Sequence, residues 1–195
     1  MPPRMLSERP DDEIFAASKD DPQLFVEIVD RHGRAIHSYV VRRAGSQVAD
    51  DLISDIWLQS FRSRERYNRG CADARPWLYG IAKNVLRAHW RVHHGAETAA
   101  LEPPPHDVWA DVDDRIDAGD RAAMVKRALG ELEPDDREVL LLVAWEELTP
   151  TQAASVLGIP AGTARWRLHR ARAHLRWRLV EGIGEPALGR SRSYG

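Results

Sequence analysis

The chain has 195 residues, of which 43% are hydrophobic and 30% are charged, and its formal net charge is −2. This composition excludes an intrinsically disordered chain, and the length is sufficient for one or two globular domains with buried cores. The single cysteine, Cys71, excludes an intrachain disulfide. The N-terminus lacks the apolar core of a signal peptide, and no apolar run approaches the ~18 residues of a membrane span. We therefore expect a cytoplasmic protein with no direct membrane insertion.

Helical periodicity recurs along the first half of the chain, whereas hairpin turns and sustained two-residue alternation are missing. Asp11-Asp12 can cap a short helix, and Pro76 suits the first turn of a later one, where its missing N–H costs nothing. The predicted helices are a short one through Ile14 and Phe15, one from Asp21-Pro22 to near Gly45, one over about 47–63 and, after a polar loop at 64–74, one over 75–94.

The second half begins with a spacer and continues as another helical unit. Residues 95–117 contain three consecutive prolines and many acidic residues, which predicts an extended linker. Beyond it, Pro134-Asp135 begins a helix, Thr149 can cap the next, and Gly158 can end that one. We therefore predict an all-α fold of two small helical domains joined by a Pro/acidic linker, the C-terminal one a helix-turn-helix. The predicted division is an N-terminal extension at 1–19, a first domain at 20–94, the linker at 95–117, a second domain at 118–181 and a tail at 182–195.

The last fifty residues contain the strongest functional signal. Residues 148–173 predict a helix, a Gly-Ile-Pro turn and a second helix, and six arginines but no acidic residue lie between Thr149 and Val180. A basic second helix in such a motif is typical of major-groove DNA recognition, because arginine bonds bidentately to guanine or phosphate. A solvated amphipathic helix is the alternative. The candidate DNA contacts on this helix are Thr163, Arg165, Trp166, Arg167, His169, Arg170 and Arg172.

The predicted helix at 75–94 interleaves basic and aromatic residues and contains no acid. This combination suits single-stranded or melting DNA, since cations meet phosphates and flat rings meet unstacked bases. Trp77 lies where a core aromatic is expected, whereas Tyr79 and Trp90 remain candidates for contact with bases. The residues on an arc separate from the predicted core face are Lys83, Asn84, Arg87, Trp90 and Arg91.

Other constellations are weak. His89 and His93 form an i, i+4 pair with His94 beside it, but no third metal ligand has suitable spacing. Cys71 has no base partner that the sequence identifies. Phosphate-binding glycine loops, nucleophile elbows and paired metal-ligand motifs are missing. We predict no metal, no cofactor and no enzymatic activity.

Three segments, in order, are similar to one family. ADDLISDIWLQSF at 49–61 resembles a polymerase-binding helix, and RPWLYGIAKNVLRAHWR at 75–91 resembles a promoter-melting helix. The third segment, at 132–172, reads LEPDDREVLLLVAWEELTPTQAASVLGIPAGTARWRLHRAR and resembles a promoter-reading domain. By these motifs the chain resembles the bacterial RNA polymerase sigma factors of the extracytoplasmic-function (ECF) group. The resemblance covers about 20–94 and 120–178.

The resemblance implies roles for individual residues. The loop at 66–73, with Asn68, would capture a flipped-out base of the minus-10 element, and Trp166 stands where the family usually has a small residue. At positions 54 and 55 the family commonly has Gln and Glu. The residues implied to contact the clamp coiled coil of the largest polymerase subunit are Asp51, Ser54 and Asp55. Those implied for the minus-10 element are Lys83, Asn84 and Arg87. Those implied for the minus-35 element are Arg165, Trp166, His169 and Arg170, with Arg137 on a backbone phosphate.

The resulting prediction is a transcription initiation factor that binds core RNA polymerase and promoter DNA and aids promoter melting. A stand-alone helix-turn-helix regulator and a module whose arginines meet an acidic protein are the alternatives. The linker must be substantially extended when both domains are engaged, since its 23 residues span at most ~80 Å and the promoter elements lie at least ~70 Å apart. In the free protein the domains can fold onto one another, a compact form that we expect an anti-sigma protein to clamp.

Overall fold

The computed structural model describes residues 9–68, 70–94 and 120–184, so the predicted linker and most of the predicted tail lie outside the described residues. Within these ranges the chain forms α-helices and short 3-10 turns and no strand, which confirms the predicted all-α fold. The first half contains α1 (Asp11–Ala17), α2 (Val26–Ala44), α3 (Ser46–Ser63) and α4 (Arg75–His94), with 3-10 turns at Pro22–Phe25 and Arg64–Arg66. The second half contains α5 (Asp120–Gly130), α6 (Pro134–Ala144), α7 (Pro150–Leu157) and α8 (Ala161–Gly184).

The first three long helices, α2, α3 and α4, pack around one apolar core. Their apolar residues recur every three to four positions, so each helix turns one continuous face inward. Gly45, with φ of 80°, separates α2 from α3, and its N–H donates to the Val41 carbonyl. Such a positive φ favours glycine and permits the sharp reversal. Buried core side chains of these helices include Ile28, Ile36, Tyr39, Val40, Leu52, Ile56, Leu78 and Val85.

The short helix α1 belongs to this core as well. It begins at Asp11, but the expected aspartate cap does not form, because the N-cap position is Pro10 and no side chain caps the helix. Its Ile14 and Phe15 side chains are almost fully buried among the residues of the first domain. Residues 11–17, assigned from the sequence to an extension ahead of the domain, therefore contribute to its interior. Trp77 packs half-buried against the same cluster, in agreement with its expected core position.

The helix-turn-helix forms from local signals. Thr149 Oγ1 accepts a hydrogen bond from the Gln152 N–H at 3.2 Å, and Gln152 Oε1 accepts one from the Thr149 N–H at 2.8 Å, which completes a capping box. Gly158 ends α7 in the left-handed conformation, with φ of 69°. The α8 helix then packs on α5, α6 and α7 around a second apolar cluster that includes Val139, Leu140, Ala154, Ala164, Leu168 and Ala171.

The two domains pack directly against each other, chiefly through α4 and α7. Four buried side chains of the second domain join the apolar core of the first domain: Leu142, Leu148, Ala153 and Val156. The described part of the chain is therefore in the compact form that the sequence predicted as accessible to the free protein.

We expect the Thr149→Ala substitution to lower the free energy of unfolding by about 1 kcal/mol, since it removes the side chain that caps α7. Urea denaturation followed by circular dichroism measures this loss. Thr151→Ala is the matched control, because Thr151 is exposed on the same helix and caps nothing. Equal stabilities of the two variants would contradict the importance of the capping box.

Candidate functional site

The α8 helix presents a mixed basic and aromatic face to solvent. Ala164, Leu168 and Ala171 lie at four- and three-residue spacing and are buried against the rest of the second domain. This packing turns the intervening positions outward. Trp166 is 56% exposed, and Thr163 lies half-buried in the first turn. The exposed predicted contacts on this helix are Arg165, Trp166, His169, Arg170 and Arg172.

Two of the predicted arginines are engaged within their own domain. Arg167 Nη2 lies 2.6 Å from Asp135 Oδ2, and the Arg170 guanidinium pairs with the carboxylate of Asp136, whose side chain is 2% exposed. The hydrogen bond to Asp136 raises the pKa of Arg170 further above neutrality. Arg170 also lies over the Trp166 ring at 4.3 Å from the ring centre, a cation–π contact. The two acidic residues at the start of α6 therefore neutralise part of the basic face and orient Trp166.

Arg165, His169 and Arg172 differ from these two arginines, because they make no hydrogen bond or ion pair with the residues that the structure describes. Arg137 is half-buried on α6. The positive charge that faces outward from α8 without a partner in the described residues is thus concentrated on Arg165, Arg172 and Arg176.

The outer arc of α4 is divided between solvent and the second domain. Asn84, Arg87 and Arg91 are exposed, whereas Trp90 is half-buried against the core of the first domain. Lys83 Nζ donates to the Val156 carbonyl of α7 at 2.5 Å. Burial and the nearby charge of Arg87 lower the pKa of Lys83. One of the predicted minus-10 contacts is therefore covered by the helix-turn-helix.

The loop before α4 holds two of the features noted in the sequence. Asn68 is exposed and its Nδ2 lies 3.8 Å from the Cys71 sulfur, and Cys71 is an exposed free thiol. Tyr79, an aromatic candidate for contact with bases, is 1% exposed, so its ring presents no face to DNA in this arrangement. Its burial results from contact with the second domain and with Tyr39.

The predicted polymerase-binding side chains lie on one outward face of α3. Asp51, Ser54 and Asp55 are all exposed, and Leu58, four residues after Ser54, is 45% exposed beside them. Positions 51, 54, 55 and 58 share a face because three and four residues make about one helical turn. Ser54 Oγ donates to the Asp50 carbonyl at 2.9 Å, which directs the hydroxyl back along the helix. This face combines two carboxylates with an apolar side chain and is not covered by the second domain.

A cluster of charges joins the domains, and the sequence did not predict it. Arg42 Nη2 lies 2.7 Å from Glu146 Oε1, and the Tyr79 hydroxyl donates to Glu146 Oε2 at 3.1 Å. Arg43 Nη2 lies 3.0 Å from Glu138 Oε1, and Arg43 Nη1 lies 3.6 Å from Glu146. The Glu146 side chain is 2% exposed and both arginines are largely buried, whereas the Glu138 side chain is 23% exposed, so the cluster combines a buried centre with one anion that still meets water. We call these four charged residues and Tyr79 the interdomain charge cluster.

The sequence offers little to reveal this cluster. Arg42 and Arg43 occupy the last turn of α2, where basic residues are common because they interact favourably with the helix dipole. Glu146 lies 104 residues after Arg42, in the turn between α6 and α7. Only the packing of one domain on the other brings them together.

The described residues contain no group of three or more His, Cys, Asp or Glu that could hold a metal ion. The side chains of His93 and His94 lie outside the described part. No helix among the described segments has both the length and the apolar character that a bilayer crossing requires.

Comparison with known proteins accounts for both domains. Residues 28–94 match the family model described as Sigma-70 region 2, and residues 122–175 match the model described as Sigma-70, region 4. The ECF RNA polymerase sigma factor SigM of Mycobacterium tuberculosis is 31% identical over 170 residues, which cover 86% of this chain and 84% of that protein. The chain belongs to the ECF group of RNA polymerase sigma factors. This ECF sigma factor is therefore a promoter-specific initiation factor that binds RNA polymerase, as the sequence predicted.

Other relatives and structures agree with the assignment. The ECF sigma factor SigE of Mycolicibacterium smegmatis is 29% identical over 187 residues, which cover 89% of this chain and 69% of that protein. The sigma factor CarQ of Myxococcus xanthus is 30% identical over 158 residues, which cover 80% of this chain and 90% of that protein. The structure of CnrH in complex with the cytosolic domain of CnrY has a TM-score of 0.62 at 24% identity and covers 88% of this chain and 98% of that one. The sigma factor RpoE of Bartonella quintana, in complex with the anti-sigma factor NepR, has a TM-score of 0.52 at 22% identity and covers 83% and 98%. The two structures share the fold of this ECF sigma factor.

We expect the Glu146→Gln substitution to separate the domains of this ECF sigma factor without unfolding either one. The change leaves Arg42 with no carboxylate partner in the cluster and Arg43 with Glu138 alone, and an uncompensated buried charge costs about 3–5 kcal/mol. Separation returns the arginines to water, so small-angle X-ray scattering should show a larger radius of gyration while the helical content is unchanged.

Glu147→Gln is the matched control for this measurement. Glu147 is the exposed neighbour of Glu146 and receives the same isosteric change. A radius for Glu146→Gln equal to that of the control would show that the interdomain charge cluster does not hold the compact form.

Proposed function

We propose that this sigma factor acts by binding rather than by catalysis, with α3 on the polymerase, α4 and its preceding loop on the minus-10 element, and α8 on the minus-35 element. Because the polymerase and the chromosome occupy the cytoplasm, we place its action there. The observation that carries the proposal is the separation of three exposed surfaces on two domains, each bearing the chemistry of its partner. The α3 face is acidic, and the outward faces of α4 and α8 are basic.

The α8 helix supports the minus-35 role through its outward arginines. The first turns of the second helix in a helix-turn-helix enter the major groove, which gives Arg165 and His169 access to base edges. Arg170 is tied to Asp136 and stacks on Trp166. We infer that this pair meets the DNA as one rigid unit, with Trp166 offering an apolar surface to a thymine methyl group. Arg137, near the start of α6, contributes a phosphate contact.

The α4 helix and its loop support the minus-10 role. Asn84 and Arg87 are exposed one turn apart, and Asn68 is exposed in the loop that precedes the helix. An amide side chain can recognise the hydrogen-bonding edge of an unpaired base, and the arginine can neutralise an adjacent phosphate. The extrusion of a base costs a few kcal/mol, which the loop and helix together must offset.

The acidic face of α3 supports contact with the clamp coiled coil of the largest polymerase subunit. Asp51 and Asp55 would meet basic side chains there, and Leu58 would supply apolar contact at the same face. Ser54 is shorter than the glutamine common in the family and is already bonded to the Asp50 carbonyl, so its contribution is smaller.

The compact form cannot engage both promoter elements. The Lys83 ammonium lies 2.5 Å from the Val156 carbonyl, so α4 and the helix-turn-helix are in contact. The minus-10 and minus-35 elements lie at least ~70 Å apart along the DNA axis. The domains must therefore separate when the factor binds a promoter, and the interdomain charge cluster must break. We propose that the compact form is the resting state and that an anti-sigma protein stabilises it.

We expect Arg165→Ala to reduce promoter use by roughly tenfold or more while polymerase affinity is unchanged, since a base-contacting arginine contributes about 1–3 kcal/mol. In vitro transcription with core polymerase measures promoter use, and fluorescence anisotropy measures polymerase binding. Arg176→Ala is the control, because Arg176 is also exposed on α8 but lies about three helical turns after Arg165. Equal losses for both variants would indicate a general charge effect and contradict base recognition by Arg165.

We expect the double substitution Asp51→Asn and Asp55→Asn to weaken polymerase binding, the property that Arg165→Ala should leave unchanged. Polymerase affinity should fall by roughly tenfold or more, because both carboxylates lose their charge at a charge-complementary interface. The same anisotropy assay measures this, and Asp30→Asn, an exposed carboxylate on α2, is the control. Unchanged polymerase affinity in the double variant would exclude the α3 face as the docking surface.

A further inference from the structure

The loop between the 3-10 turn at Arg64–Arg66 and α4 rests on α1. The Phe15 ring of α1 stacks on the Tyr67 ring, with 4.1 Å between ring centres and an angle of 17° between planes. Trp77 packs edge-on against both rings, at 5.2 and 5.4 Å. Tyr67, the first residue of the loop, is thereby fixed between α1 and α4.

A carboxylate of α1 holds the other end of the loop. Asp11 Oδ2 accepts a hydrogen bond from the Ala74 N–H at 2.8 Å, immediately before α4, and the Asp11 N–H donates to the Ala72 carbonyl at 3.2 Å. Next to it, Asp12 Oδ2 accepts from the Gly70 N–H at 3.2 Å. All three bonds involve loop backbone, so they determine the path of the loop irrespective of its side chains.

Asp11 is itself held in place by α2. His32 Nε2 lies 2.8 Å from Asp11 Oδ2, and Arg31 Nη1 donates to Asp11 Oδ1 at 3.1 Å. The Asp11 side chain is 7% exposed. Burial by itself would raise the pKa of Asp11, but the hydrogen bonds from His32 and the Ala74 amide outweigh it and hold the pKa below its usual value. The carboxylate is thus ionised and bound to three partners on two different segments.

The loop also closes on itself. The Tyr67 hydroxyl donates to the Cys71 carbonyl at 2.5 Å, and the Cys71 N–H donates to the Asn68 carbonyl at 3.3 Å. Gly70 has φ of 109°, a conformation that side chains rarely adopt. The backbone is bonded at several points, while the Asn68 and Cys71 side chains remain exposed. This is the arrangement of a rigid frame that presents polar groups outward.

We propose that Asp11 is a positioning residue that holds the described loop residues, 67–68 and 70–74, in the shape that captures an unpaired promoter base. The inference rests on the minus-10 role proposed above for this loop. A site for an extruded base must exist before the base arrives, because ordering a loose loop at that moment would consume the binding free energy. Helix α1, which completes the core of the first domain, therefore contributes to DNA recognition by fixing the shape of the loop.

The test compares Asp11→Ala with a variant that is destabilised through the apolar core of the same domain. Ile56→Val is suitable, because Ile56 is fully buried in the same domain and the change removes one methylene. Two measurements are made on the full chain. The first is the rate of tryptic cleavage after Arg66, identified by mass spectrometry, which reports loop order without DNA. The second, with the reconstituted polymerase holoenzyme, is the preference for forked promoter fragments that carry a base rather than an abasic site at each minus-10 position.

We expect Asp11→Ala to accelerate cleavage and to lower the preference for the base by roughly tenfold at one position, since that preference depends on a preformed site. Ile56→Val should leave both close to those of the wild-type protein. Asp11→Asn retains an oxygen for the Ala74 amide but loses the charge that faces Arg31 and His32, so both effects should be intermediate. This variant also provides the test if Asp11→Ala does not fold.

Three results would contradict the proposal, and they are distinguishable. If cleavage by trypsin is as slow in the Asp11 variants as in Ile56→Val, the residue does not order the loop. If cleavage accelerates but the preference for the base is unchanged, the order of the loop does not serve base capture. If the wild-type holoenzyme shows no preference at any minus-10 position, the proposed role of the loop is itself wrong, while the cleavage rates still report whether Asp11 orders it.

Discussion

The arrangement of the two domains depends on the interdomain charge cluster. Arg42 and Arg43 from the first domain are buried with Glu146 from the second, beside the partly exposed Glu138, and the Tyr79 hydroxyl also donates a hydrogen bond to Glu146. Buried charges are costly unless each has a partner, so this cluster is compatible with one relative placement of the domains. The apolar contact beside the cluster favours association of the domains but is non-directional, whereas the charge pairs determine the orientation and register of one domain on the other. The contact of α7 with α4 follows from that register.

This register divides the proposed binding surfaces. Lys83 is covered by the helix-turn-helix, while the acidic face of α3 and the outer face of α8 remain exposed. A balanced set of two cations and two anions is also reversible, because each half can return to water when the domains part. The charged part of the interface is therefore built from groups that tolerate opening, whereas the apolar contact of Leu142, Leu148, Ala153 and Val156 with the first domain opposes it.

The basic face of α8 illustrates how a charge count from sequence differs from the charge that a partner meets. Six arginines lie between Thr149 and Val180, yet Arg167 and Arg170 are paired with Asp135 and Asp136 of α6, and Arg178 is paired with Glu131. The composition of the segment predicted its polyanion partner, but it did not show that three of the arginines are neutralised. Similarly, the sequence made Tyr79 a candidate for stacking on an unpaired base, whereas its hydroxyl bonds to Glu146 in the interdomain contact.

The sequence by itself determined the helices and the family, although the helix predicted from Asp21-Pro22 begins as a 3-10 turn and α2 starts at Val26. Helical periodicity and capping act over three or four residues, so Thr149, Gly158 and the apolar stripe of α2 could be interpreted without any knowledge of the rest of the chain. The tertiary structure alone decided which distant groups meet. Asp11 with Ala74 and Arg42 with Glu146 are separated by 63 and 104 residues. Such pairs form because packing of whole helices brings them together, and no local pattern encodes the angle at which two helices or two domains pack.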